Sequence, residues 1–125
     1  MAAIYKVLER ARRRLKRLTP DQAAAEVAQG ALLIDTRTFE QRADGGHIPG
    51  ALLIDRTVLE WRLDPTSPDR IPEASSHDVR VILICNQGFS SSLAAASLKD
   101  LGLVNATDVI GGFQAWKAAG MPVEP

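Results

Sequence analysis

The run Val81-Ile82-Leu83-Ile84 ends on Cys85, the only cysteine in the chain. All four residues before it are aliphatic and three are β-branched, which suits a short strand buried on both faces. The next residues are polar, with Gly88 among them, and Ser90-Ser91-Ser92 leads into an alanine-rich helical pattern that closes near Gly102. The cysteine is therefore predicted where a strand gives way to a helix. A strand apolar on both sides needs helices above and below it, so this stretch already favours a parallel, helix-covered sheet. Sheets of that kind place their chemistry at the carboxyl ends of the strands. A helix N-terminus offers free N–H groups and a partial positive charge, which favour thiolate over thiol. Two readings of Cys85 stand at this point: an activated nucleophile, or a structural cysteine buried at a strand end.

The rest of the chain repeats the alternation. Ile4, Val7, Leu8, Ala11, Leu15 and Leu18 recur at helical spacing, so residues 2–18 are predicted as one amphipathic helix. Thr19-Pro20 is a helix start, and Gly30 is placed to end that helix. Ala31–Ile34 and Ala51–Asp55 read as buried strands, separated by a short helix over Phe39–Ala43 and a turn at Gly45–Gly50. Val58–Trp61 suggests a short helix, and the Pro- and Ser-rich residues 64–77 form the longest loop, either beside the active site or a tolerated insertion. Asp108–Ile110 is predicted as a last strand, Gly111-Gly112 as a tight turn and Phe113–Ala119 as a last helix. The fold class is α/β, with four to five mainly parallel strands and helices on both faces.

Charge divides the chain unevenly although the total is zero. Residues 1–18 hold Lys6, Arg10, Arg12, Arg13, Arg14, Lys16 and Arg17 against Glu9 alone, a net of +6 balanced by −6 in the remainder. This segment reads as a solvated helix packed on the domain, as a surface for anionic lipid, or as a docking element for an acidic protein or a second copy of the chain, which would make a homodimer. It also has the Arg-rich, acid-poor character of a transit peptide, although it contains no serine. No recognition motif points to nucleic acid. A single cysteine with two histidines argues against a thiolate zinc site, so no metal is expected. One unpaired thiol suits a reducing compartment, and a cytoplasmic location is expected.

Several segments together resemble the single-domain rhodanese family of sulfurtransferases. Asp35-Thr36-Arg37 followed by Gly46-His47-Ile48-Pro49-Gly50-Ala51 is similar to its amino-terminal signature. Gly111-Gly112-Phe113-Gln114-Ala115-Trp116, with Gly120 and Pro122, is similar to its carboxyl-terminal signature. Cys85 with Gly88 and Ser90-Ser91 resembles its active-site loop. The resemblance covers residues 19–123, taken as the rhodanese-like domain; residues 1–18 lie outside it as a basic helix expected to be peripheral to the chemistry.

The resemblance implies that Cys85 accepts a sulfane sulfur as a persulfide, from a donor such as thiosulfate, and passes it to cyanide or a thiol. Asn86, Gln87, Gly88, Phe89, Ser90 and Ser91 would form the loop that cradles the sulfur, with backbone N–H groups and side chains as donors. The two serines are also candidates to cap the helix. Asp35 and Arg37 are expected to form an internal ion pair or to hold loop backbone, with pocket contact as the second option. His47 is expected to be structural, Trp116 to be core, and His77 to be solvated. No cofactor is implied.

The loop departs from many thiosulfate-using relatives in carrying no Lys or Arg over residues 86–91. Arg37, Arg42 or Arg56 would have to supply a cation from elsewhere. Related cysteine phosphatases and arsenate reductases need an arginine six residues after the cysteine; here that residue is Ser91, which argues against phosphoryl chemistry. The alternative function is a non-turnover sulfur carrier or protein-interaction module.

Overall fold

The computed structural model describes all residues, Met1–Pro125. Helix α1 (Ala3–Arg13) is followed by α2 (Pro20–Ala28), strand β1 (Leu32–Asp35), α3 (Phe39–Gly45) and strand β2 (Leu52–Leu53). A 3-10 turn at Arg56–Val58 leads into α4 (Leu59–Leu63); then come β3 (Val81–Ile84), α5 (Ser90–Asp100), β4 (Thr107–Asp108) and α6 (Gly112–Ala118). The sheet has the order β2-β1-β3-β4 and every pairing is parallel. Strand β3 lies in the interior, aligned with β1 from Leu32 opposite Val81 to Asp35 opposite Ile84. No helix is long and apolar enough to cross a membrane.

Alternation along the strands builds two cores. Ile34, Val81 and Leu83 point to one face, where they pack with Leu59, Leu63 and the α5 residues Ala94, Ala95 and Leu98. Leu33, Ile82 and Ile84 point to the other, against Ala23 of α2 and Phe113 and Trp116 of α6. Each fully buried aliphatic side chain contributes about 1.5–3 kcal/mol of transfer free energy, and their shared burial holds the end of β3 in place.

The N-terminal segment differs from the single helix predicted over residues 2–18. Helix α1 ends at Arg13, because the next two apolar residues go to opposite sides of the sheet. Leu15 enters the core beneath α5, whereas Leu18 enters the core beneath α2 and α6. No helix can place residues three apart on opposite faces of a sheet. Leu18 instead lies extended along the outer edge of β4: its N–H donates to Asp108 O at 3.1 Å, and its carbonyl accepts from Ile110 N–H at 2.8 Å. The segment thus covers an edge that would otherwise expose unpaired backbone.

Two strands are shorter than predicted. β2 is confined to Leu52–Leu53, and β4 to Thr107–Asp108, with Val109 bridged to Leu18. Thr19 caps α2 with a full capping box to Gln22, and Thr38 does the same for α3 with Gln41. The 64–77 loop buries Ile71 and Ala74 in the core beside α4. It contributes no residue to the pocket at Cys85.

Candidate active site at the carboxyl end of β3

Cys85 follows β3 directly and is buried. The chain then turns through Asn86–Phe89 and enters α5 at Ser90. Gly88 has φ +83°, and a Cβ on it would lie 2.7 Å from Gly111 N, so both conformation and space exclude a side chain. The turn brings Gly88 N–H to 3.1 Å and Ser91 N–H to 3.4 Å from Cys85 Sγ. The N–H groups of Asn86, Gln87, Phe89 and Ser90 have no acceptor within the chain. Two donors on the sulfur and four more left free in the same short loop make a cradle suited to an anion.

Opposing forces act on the thiol. Burial pushes its pKa up, while hydrogen bonds from the Ser91 and Ser90 hydroxyls and from the Ser91 and Gly88 N–H groups pull it down. The net result is a pKa below the ordinary value, which favours thiolate. Ser91 has only one hydroxyl proton, and its Oγ lies 2.7 Å from Asp108 Oδ2. A carboxylate that close accepts that hydrogen bond in place of the sulfur, so we assign the downward pull chiefly to the backbone donors and Ser90. Neither serine caps α5, which has no side-chain cap at all.

The sulfur faces a pocket of about 380 Å³ lined by Thr36, Arg37, Thr38, Gln41, Arg56 and the loop. Arg37 and Arg56 therefore border it, whereas Arg42 turns away to donate to the Arg37 carbonyl. Arg56 is also paired with Glu60 at 2.8 Å. Arg37 forms a fully buried ion pair with Asp35 at 2.9 Å, donates to Gly46 O at 2.8 Å and lies 3.7 Å over the Phe113 ring. Phe89 is 49% exposed at the rim, with Arg12 stacked 5.7 Å from its centroid.

The family profile described as "Rhodanese-like domain" matches residues 19–119. The chain belongs to the rhodanese-like family. Among similar proteins, a Pseudomonas entomophila protein named thiosulfate sulfurtransferase GlpE is 35% identical over 103 residues, 82% of this chain and 85% of that protein. A Haemophilus influenzae protein of the same name is 32% identical over 110 residues, 87% and 94% of the two chains. A solved structure from Rhodopseudomonas palustris, described as a protein of unknown function and possible tyrosine phosphatase, superposes with a TM-score of 0.88 at 32% identity. It covers 99% of this chain and 96% of its own.

Within this rhodanese-like domain, the Gly111-Gly112 pair does more than turn the chain. A Cβ on Gly112 would meet Cys85 O at 2.5 Å, so only glycine lets α6 approach the loop this closely. Phe113 N–H donates to Cys85 O at 2.7 Å and Gln114 N–H to Asn86 O at 3.1 Å. The Asn86 side chain bonds Gln114 at 3.0 Å, so its amide braces α6 and not the sulfur. His47 serves through its backbone, pairing in both directions with Glu124, and Trp116 is buried with its indole N–H on Pro122 O.

Sequence reasoning missed the arginines that reach the loop from behind. Arg12 Nη2 lies 2.7 Å and Arg17 Nη2 3.1 Å from Gly88 O, and Arg17 is paired with buried Asp108 at 2.8 Å. The basic segment thus touches the back of the loop, although residues 1–18 read as peripheral to the chemistry. Arg13 and Arg14 are engaged too, with Glu9 and Asp100, so part of the charge asymmetry is settled inside the chain. The only signal in the sequence was the unusual density of arginine before Thr19.

Proposed function

We propose that this protein is a sulfurtransferase that carries sulfur as a persulfide on Cys85. The observation that carries the reading is the pair of loop N–H donors on Sγ, from Gly88 and Ser91, with a pKa lowered despite burial. The Cys85 thiolate attacks the outer sulfur of a donor such as thiosulfate. The new S–S bond takes its electron pair from the thiolate, and the old bond's pair leaves with sulfite. The terminal sulfur, still anionic, sits among the free N–H groups of the loop. Cyanide or a thiolate then attacks that sulfur and returns Cys85 as thiolate, so the reaction proceeds in two half-reactions.

Arg37 and Arg56 border the pocket but are paired with Asp35 and Glu60, so the free N–H groups of the loop are what suit it to an anionic donor. Phosphoryl transfer fits poorly. Ser91 stands where an arginine would grip a dianion, and Asp108 lies directly behind it. The free thiol suits a reducing compartment such as the cytoplasm. Lys6, Arg10 and Lys16 have no acidic partner within the chain and are left for an acidic protein surface.

Mass spectrometry after thiosulfate treatment should find one added sulfur on Cys85, lost in Cys85→Ser. Thiocyanate formed from thiosulfate and cyanide should vanish in the same variant. A parent protein that loads sulfur but never turns over would be a carrier; one that no sulfane donor loads would overturn the reading.

A further inference from the structure

Gly88 is held on both sides. Its N–H faces Cys85 Sγ, and its carbonyl accepts from Arg12 Nη2 and Arg17 Nη2. Arg12 also donates to Ser92 Oγ at 3.1 Å, and Ser92 Oγ in turn reaches Asp108 Oδ2 at 2.7 Å. Both arginines precede Thr19, where the family match begins, so this grip lies outside the matched domain. The geometry points to Arg12 and Arg17 as positioning residues that supply, through the Gly88–Phe89 peptide, the positive charge that the Cys85 loop lacks.

The trans peptide transmits the effect. Its C=O and N–H point in opposite directions, so two guanidinium groups on Gly88 O fix Phe89 N–H facing away from them, with no acceptor in the chain. Charged donors on the carbonyl also polarise that N–H and strengthen it as a donor to an anion. Arg12 senses the site electrostatically: burial and the nearby charge of Arg17 lower its pKa, while Asp108 and Cys85 pull it back up. The other charged groups at the pocket are Arg37, paired with Asp35, and Arg56, paired with Glu60.

The inference rests on the sulfurtransferase reading for its second readout only. The first is the pH profile of Cys85 alkylation by iodoacetamide, and the second is the rate of sulfur loading from thiosulfate by mass spectrometry. Arg12→Met keeps the stem over Phe89 and removes the charged donors. It should move the alkylation midpoint to higher pH and slow loading roughly tenfold, the scale of one charged hydrogen bond, with the melting temperature little changed. Arg12→Lys, which keeps a cation for Gly88 O, should recover much of both effects. If Arg12→Met does not fold, Arg12→Lys and Arg17→Lys carry the same measurements, with smaller upward shifts expected. A parental profile and loading rate in folded Arg12→Met, or in both lysine variants where Arg12→Met does not fold, overturns the inference. A parent that alkylates normally but loads no sulfur overturns the sulfurtransferase reading instead, and the alkylation profiles still decide the role of the arginines.

Discussion

Arg17 Nε lies 2.8 Å from Asp108 Oδ1, joining a residue ahead of the family domain to a carboxylate at the end of β4. Asp108 has no solvent contact, and its Oδ2 also takes the Ser91 and Ser92 hydroxyls. Removing Arg17 leaves a buried carboxylate held by two neutral hydroxyls. Arg17→Leu should cost about 3–5 kcal/mol, read as a lower urea midpoint at unchanged slope. Arg17→Leu/Asp108→Asn together should recover part of that loss, because no charge is then buried alone.

Asp35 and Arg37 form an ion pair in which both side chains are fully buried, below the pocket. Asp35→Ala would strand a guanidinium that retains Gly46 O and the Phe113 ring but no counter-charge. A loss of about 3–5 kcal/mol is expected in chemical denaturation. The pair's first role is structural, so the stability loss should exceed any change in thiosulfate affinity of the surviving folded protein.

Gly88 faces two constraints at once, a left-handed backbone and the Gly111 amide 2.7 Å from where a Cβ would sit. Gly88→Ala should lose about 1–3 kcal/mol from backbone strain alone. It should also push the loop off α6 and draw Gly88 N–H away from the sulfur. Alkylation of Cys85 at neutral pH should slow more than the stability loss would suggest, measured on protein kept well below its melting temperature.

The lowered thiol pKa carries a pH signature. Burial opposes it, and the loop donors outweigh burial. Cys85 should therefore react with iodoacetamide along a profile whose midpoint lies below that of a free cysteine. Stability follows the same linkage. A depressed folded pKa contributes fully above the unfolded thiol's pKa, and the contribution is lost as pH falls through the folded value. The stability of the parent relative to Cys85→Ser should thus grow as pH rises through that window and level off above it, as denaturant titrations at several pH values would show.

Much of the site could be read along the chain because its parts are local. The aliphatic run into Cys85, Gly88 three residues on and the helix after Ser90 are all neighbours in sequence, and backbone preferences alone arrange them. Asp35 and Arg37 are two residues apart, so their pairing was also within reach. The extent of the first helix was not. Its apolar spacing is helical through Leu18, but Leu15 and Leu18 belong to different cores, and burial overrides periodicity where the chain must cross the sheet edge.

Sequence alone carried the alternation of strands and helices, the family signatures and the position of the one thiol at a strand end, since each depends on residues close together in the chain. Folding decided which cations meet that loop. Arg12 and Gly88 are 76 residues apart, and Arg17 and Asp108 are 91 apart. No local pattern encodes such a pairing; it arises when α1 packs on α5 and Leu18 docks beside β4. The loop's missing positive charge is therefore absent from its own sequence but present at its back, because electrostatic contact depends on distance in space.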